Sequence, residues 1–123
     1  MTTDRNGWHA VALSNDVEPG SSNGTHLFGE EIVVWRDGAG VPHVWVDRCP
    51  HRGMRLSYGY VRADRIACLY HGWQYGTDGR CLRIPAHPDI EPPASIVVWR
   101  HSCREAMDLI FARLGEAIDA PGR

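Results

Sequence analysis

The chain contains no lysine; all 13 of its basic residues are arginine. The codon bias of a GC-rich genome accounts for that more simply than a demand for guanidinium at every site. A strong charge of either sign is also missing. The formal net charge is −2, too weak to mark a nucleic-acid or membrane-surface binder. No apolar run approaches the ~20 residues needed to cross a bilayer; Ile32-Val33-Val34-Trp35 is typical. The opening Met1-Thr2-Thr3-Asp4-Arg5-Asn6 is polar and lacks the basic-then-apolar pattern of an export signal. A soluble, cytoplasmic protein with neither nucleic-acid nor membrane partner is therefore expected. Cysteine is scarce at four residues. In such a compartment these are metal ligands, catalytic groups or plain thiols rather than disulfides.

What is present reads as one domain of short strands and turns. The 123 residues suffice to bury roughly two-thirds of the unfolded surface. Trp8–Leu13 and Leu27–Arg36 are rich in aromatic and β-branched residues and predict strands. Asp37-Gly38-Ala39-Gly40 supplies a turn and Val41–Asp47 a returning strand, with Val44 and Val46 on one face and His43, Trp45 and Asp47 on the other. A second hairpin is predicted from Trp73-Gln74-Tyr75 through Gly76-Thr77-Asp78-Gly79 to Arg80–Ile84. Pro85, Pro88, Pro92 and Pro93 mark an irregular segment, and Ile96–Trp99 a last strand. Met107, Ile110, Phe111, Leu114 and Ile118 then recur at helical spacing behind a Ser102/Glu105 capping-box pattern. They predict an amphipathic helix from about Cys103 to Asp119, its stripe packed on the sheet or on another subunit.

The informative stretch is Cys49-Pro50-His51-Arg52-Gly53, followed by Cys68-Leu69-Tyr70-His71-Gly72-Trp73. The pattern is Cys-x-His, sixteen intervening residues, then Cys-x-x-His. Two short loops, each offering one thiolate and one imidazole, suit a metal centre approached from two sides. A zinc Cys₂His₂ site is one reading, although structural zinc usually pairs Cys-x₂₋₄-Cys with His-x₃₋₅-His. A catalytic Cys–His pair is another, but it leaves one loop unexplained. An iron–sulfur centre with two Cys on one iron and two His on the other uses all four residues.

At these residues the sequence resembles the Rieske domain family, and within it the N-terminal domain of Rieske non-haem iron oxygenases. The resemblance runs from about Trp8 to Pro88. It takes in Asp47-Arg48-Cys49-Pro50-His51-Arg52-Gly53, Leu56-Ser57-x-Gly59, Cys68 through Tyr75, Gly79-x-Cys81 and Ile84-Pro85. Arg52-Gly53 and Gly72-Trp73 favour the oxygenase branch over simple ferredoxins. The resemblance implies an all-β, antiparallel β-sandwich with a two-loop tip, spanning residues 1–100, with the helix of residues 101–123 appended. It implies one Rieske [2Fe-2S] cluster held by Cys49, His51, Cys68 and His71. Arg52, Trp73 and Tyr75 would surround the cluster or line the electron's exit.

Two thiolates and two neutral imidazoles bring an oxidised cluster to zero charge, against −2 for an all-cysteine cluster. That raises the potential into the range of about −150 to +300 mV. Within that range two departures point downward. The extra cysteines that form a disulfide across the cluster in respiratory relatives fall here at or near Met54 and at Tyr70. A serine whose hydroxyl donates to a sulfide is replaced by Trp73, although Tyr75 is placed to approach a cysteine sulfur. A potential near the low end follows. Cys81 and Cys103 are read as ordinary thiols, and His9, His26, His43, His87 and His101 as ordinary histidines.

Oxygenase catalytic subunits add a mononuclear iron held by two His and a carboxylate. His87, Asp89, Glu91, His101, Glu105 and Asp108 offer no scaffold for such a triad. The expected role is thus a one-electron carrier, either a diffusing ferredoxin or a bound subunit. It would receive electrons from a reductase or ferredoxin and pass them to an oxygenase catalytic subunit on a separate chain. The competing role is a metal-stabilised regulatory domain, holding zinc or a redox-sensing cluster. Five arginines against two aspartates between Asp47 and Arg65 give a local +3, while Met1–Trp35 carries −4. That asymmetry could steer a charged partner or be a plain solvated face.

Overall fold

The computed structural model describes residues 7–50, 54–69 and 72–118, the side chains of 114–118 excepted. Ten strands appear among them: β1 (His9–Leu13), β2 (Ser21–Leu27), β3 (Glu30–Arg36), β4 (Pro42–Val46), β5 (Tyr60–Arg62), β6 (Arg65–Ala67), β7 (Gln74–Tyr75), β8 (Cys81–Arg83), β9 (Arg100–Ala106) and β10 (Leu109–Ile118). They form a six-stranded sheet in the order β1-β10-β9-β4-β3-β2 and a four-stranded sheet in the order β5-β6-β7-β8. Every pairing is antiparallel.

The period-2 alternation of β3 and β4 explains how one sheet serves two cores. Val33, Trp35 and Trp45 pack with Leu56, Ile66, Tyr75, Cys81 and Val98, the core shared by the two sheets. Their neighbours Ile32, Val34 and Val44 turn the other way, onto Val17, Ile110 and Ala112. The large sheet curls around this second core. The His9 ring from β1 meets Phe28 beyond β2 at 4.9 Å between centroids.

The Asp37–Gly40 turn forms as its composition predicts. Asp37 Oδ1 accepts from the amides of Ala39 (2.9 Å) and Val41 (3.0 Å), and Gly40 takes φ +90°. His43 stacks on Trp35 and meets Asp37 Oδ2 at 3.1 Å. Burial lowers its pKa, with Asp37 offsetting part of the effect.

Three expectations are corrected. Leu27–Arg36 is not one strand: Phe28 and Gly29 both adopt positive φ and make a two-residue turn, pairing β3 with the unforeseen β2. Ile96–Trp99 is not a regular strand; Val97 makes one bridge to Arg80, and the ladder resumes at Arg100. The C-terminal helix is absent. β9 and β10 form a hairpin through Met107 and Asp108, at φ 53° and 63°.

The apolar stripe misled because alternation runs beneath it. Among the residues of β10 whose side chains are described, Ile110 and Ala112, two apart, are the buried pair, whereas Met107 is 80% exposed at the turn. Glu105 caps no helix. It accepts from both Arg36 Nη atoms, at 3.0 and 2.8 Å, while Arg36 also donates to the carbonyls of Ser14, Val17 and Gly40. β9 and β10 sit inside the large sheet, between β1 and β4.

Candidate metal centre

Cys49 and Cys68 belong to the shared core, each fully buried and neither in a disulfide. Both begin loops that close in the same way. The Cys49 amide donates to the Met54 carbonyl at 2.7 Å, and the Cys68 amide to the Trp73 carbonyl at 2.8 Å. Each amide thus bonds the carbonyl five residues on, folding each loop back beside its cysteine. In the second loop Gly72 takes φ +68°, a backbone state that glycine adopts without the Cβ clash.

The first loop is fixed from the large sheet. Asp47, buried at its entry, accepts from the Ser57 amide (2.8 Å) and hydroxyl (2.6 Å) beyond its exit. The Asp47 amide donates to the Glu31 carbonyl at 3.1 Å. The Glu31 carboxylate in turn holds Arg48 at 2.9 Å and Arg55, the residues on either side of the loop. The second loop instead joins two strands of the small sheet, β6 entering it and β7 leaving.

Gly59 lies where the two supports meet. A Cβ there would overlap the carbonyl oxygen of Ala67, the residue before Cys68. That close approach gives the Leu56-Ser57-x-Gly59 motif a physical reason.

Tyr75 completes the site. Its hydroxyl lies 3.0 Å from Cys49 Sγ, the contact anticipated from the sequence. Burial raises the phenol's pKa far above its ordinary value, and the hydrogen bond to Cys49 and the nearby Cys81 and Cys68 sulfurs raise it further. The group stays protonated and can donate to a sulfur that binds metal. Cys81 also lies in the shared core, its thiol pushed up by burial. Cys103 lies apart in β9, pushed up to about 11 by burial. Trp73 is half-buried and packs on the shared core, whereas Leu69, between the loop's Cys and His, is 62% exposed.

Of the predicted site residues, the structure thus brings together Cys49, Cys68, Trp73 and Tyr75. His51, Arg52, Tyr70 and His71 lie outside the described residues. No group of three or more His, Cys, Asp or Glu side chains is placed to hold a metal ion among the residues that are described. Glu31 escaped the sequence reading, since nothing in a surface glutamate on a strand announces that it bridges two arginines far along the chain.

The donor chemistry fits an iron–sulfur group: two buried thiols free of any disulfide, on matching loops, with a protonated phenol against one sulfur. The family model of the Rieske [2Fe-2S] domain matches residues 7–103, and the chain belongs to that family. Its cofactor is accordingly a Rieske-type [2Fe-2S] cluster, and its role that of a cluster-bearing electron-transfer domain.

Among relatives, Oxidoreductase NdmD of Pseudomonas putida is 38% identical over 120 residues, covering 96% of this chain and 20% of that protein. The oxygenase component of 3-ketosteroid-9-alpha-monooxygenase of Rhodococcus rhodochrous is 38% identical over 93 residues, covering 76% of this chain and 24% of that protein. The solved structure of NdmA from Pseudomonas putida CBB5 superposes with a TM-score of 0.83 at 36% identity, over 89% of this chain and 34% of that one. The chain spans between a fifth and about a third of the length of these relatives. Among the described residues no helix is long and apolar enough to cross a membrane.

Proposed function

We propose that Cys49 and Cys68 bind one iron and His51 and His71 the other, and that the chain is a one-electron carrier in an oxygenase system. Electrons arrive from a reductase or ferredoxin and leave to the mononuclear iron of an oxygenase catalytic subunit. The observation that carries this reading is the pair of matching loops, each bringing a buried cysteine outside any disulfide to one core. When bound, the cluster supplies reversible one-electron chemistry at a neutral centre.

The protein's own groups do the rest. The core excludes water from the cysteine side, Tyr75 holds a proton at Oη toward Cys49, and Leu69, next to Cys68 in the second loop, is exposed. A cytoplasmic setting fits this reading, with Cys81 and Cys103 remaining thiols. The names of two relatives, each an oxygenase component, support it as well.

Purified protein should be red-brown, and its reduced state should give an EPR signal of mixed nitrogen and sulfur ligation. Cys49→Ser and His71→Ala should each abolish both; full colour in either variant overturns the ligand assignment. The potential should fall near the low end of the Rieske range, because Trp73 offers no hydroxyl to a sulfide. A clearly positive potential in a redox titration at neutral pH contradicts that part.

A further inference from the structure

The small sheet carries three arginines that the metal centre does not use. Arg62 ends β5, Arg65 begins β6 and Arg83 ends β8. With Ala63, Asp64 and Gln74 they line an open cleft of about 410 Å³. Register brings them together: Arg62 pairs with Arg65 across the β5–β6 hairpin, and Gln74 with Arg83 across β7 and β8. The second pairing depends on a bulge. Gln74 opposes Arg83 while the adjacent Tyr75 opposes Cys81, leaving Leu82 as the extra residue. Tyr75 and Cys81 point into the shared core, so Gln74 and Arg83 share the outer face.

The cleft is electrostatically uncompensated. Arg65 donates to Gln74 Oε1 at 2.9 Å and lies 3.9 Å from the exposed Asp64 carboxylate. Neither Arg62 nor Arg83 has a carboxylate partner among the described residues. Three guanidiniums against one carboxylate leave +2. The sequence spread its positive charge along residues 47–65; the structure pairs Arg48 and Arg55 with the one carboxylate of Glu31 and adds Arg83 to the cleft from further along the chain. The cleft also backs onto the metal centre. β6 runs directly into Cys68, and Gln74 sits between Trp73, whose carbonyl closes the second loop, and Tyr75, whose hydroxyl meets Cys49.

We propose that this cleft docks the carboxylates of an acidic electron-donor protein, which reduces the cluster from the small-sheet side. The proposal rests on the carrier reading above and names its donor's docking face. Guanidinium forks match carboxylates in geometry and charge. An uncompensated basic cleft chiefly speeds encounter with an acidic partner. The transfer is one electron from the reduced donor, which is oxidised by one electron; no bond forms or breaks.

The test uses the cluster-loaded protein, its Arg62→Glu/Arg83→Glu variant, and an acidic plant-type [2Fe-2S] ferredoxin as donor probe. Stopped-flow reduction at low ionic strength should slow about tenfold or more in the variant. The difference should shrink as salt passes ~0.1 M, where the Debye length falls to ~10 Å. Binding of the oxidised ferredoxin, measured by calorimetry, should weaken in parallel. The visible spectrum and the extent of reduction by excess dithionite should stay unchanged, showing an intact fold and cluster. Variant rates and binding equal to wild type, or wild-type reduction indifferent to salt, overturn the proposal. Wild-type protein with no dithionite-reducible cluster signal instead overturns the carrier reading, and this proposal with it.

Discussion

The two cysteine loops share one backbone closure but are held by opposite means. Each folds back through an amide-to-carbonyl bond spanning five residues. The first is then fixed by side chains: Asp47 on Ser57 across its ends, and Glu31 on Arg48 and Arg55. The second takes its position from the small-sheet ladder, β6 pairing with β7 beneath it. A loop clipped by carboxylates depends on a few identifiable charges, whereas a loop set on strand ends depends on the whole small sheet. The difference separates variants that loosen one cysteine from variants that move both.

The largest effect is expected where the two supports meet. Gly59→Ala places a methyl group on the Ala67 carbonyl, and backbone at a strand end cannot yield as a flexible side chain can. Overpacking of this kind costs about 3 kcal/mol. The urea midpoint should drop, and cluster content per chain should fall with it because both loops shift. A variant with unchanged midpoint and full cluster content would show that the loops are held independently.

Asp47→Ala should be next, and should touch the first loop alone. It leaves the half-buried Ser57 amide without its acceptor, at a cost of roughly 1–2 kcal/mol. Reductive denaturation should release the cluster faster than in wild type, while hydrogen exchange of the β6 and β7 amides stays as slow. Equal loosening of β6 and β7 would erase the distinction between the loops.

How far this was legible in the sequence follows the same division. Cys49 and Cys68 are local in the chain, so their spacing carried them, and the family resemblance carried Trp73 and Tyr75. The turn at Asp37–Gly40 and the β7–β8 hairpin were equally readable, since glycines and an aspartate announce them. What failed was long-range or lacked a local mark. Glu31, Arg48 and Arg55 converge only through strand register. The β9–β10 turn uses Met107 and Asp108 at positive φ, with no glycine to signal it, so the stripe from Met107 to Ile118 read as a helix. The true arbiter was burial on the partner side: Ile110 and Ala112 fill a second core that no single segment reveals.

The smallest effect tests whether the loops' anchors are local. Arg36 and Glu105 join β3 to β9 at 2.8 Å, through a carboxylate that bonds neither loop. The hydrogen bonds from Arg36 lower the Glu105 pKa to about 2. A carboxylate with a lowered folded-state pKa stabilises above its unfolded value, and that stabilisation is lost as pH falls through the folded one. Glu105 is 31% exposed in its side chain, so solvent screening reduces the nominal gain. Glu105→Gln should therefore cost about 1 kcal/mol at pH 7, measured by urea denaturation. The gap to wild type should narrow from about pH 4.5 down to about pH 2, because the carboxylate of the unfolded wild-type chain takes up its proton first and that of the folded chain only near pH 2. The spectrum and potential should not move, since the side-chain clips of the first loop and the ladder beneath the second are intact. A shifted potential in this variant would mean that strain passes through β3 to Glu31 and the first loop, and that the carboxylate clips answer to the large sheet as a whole.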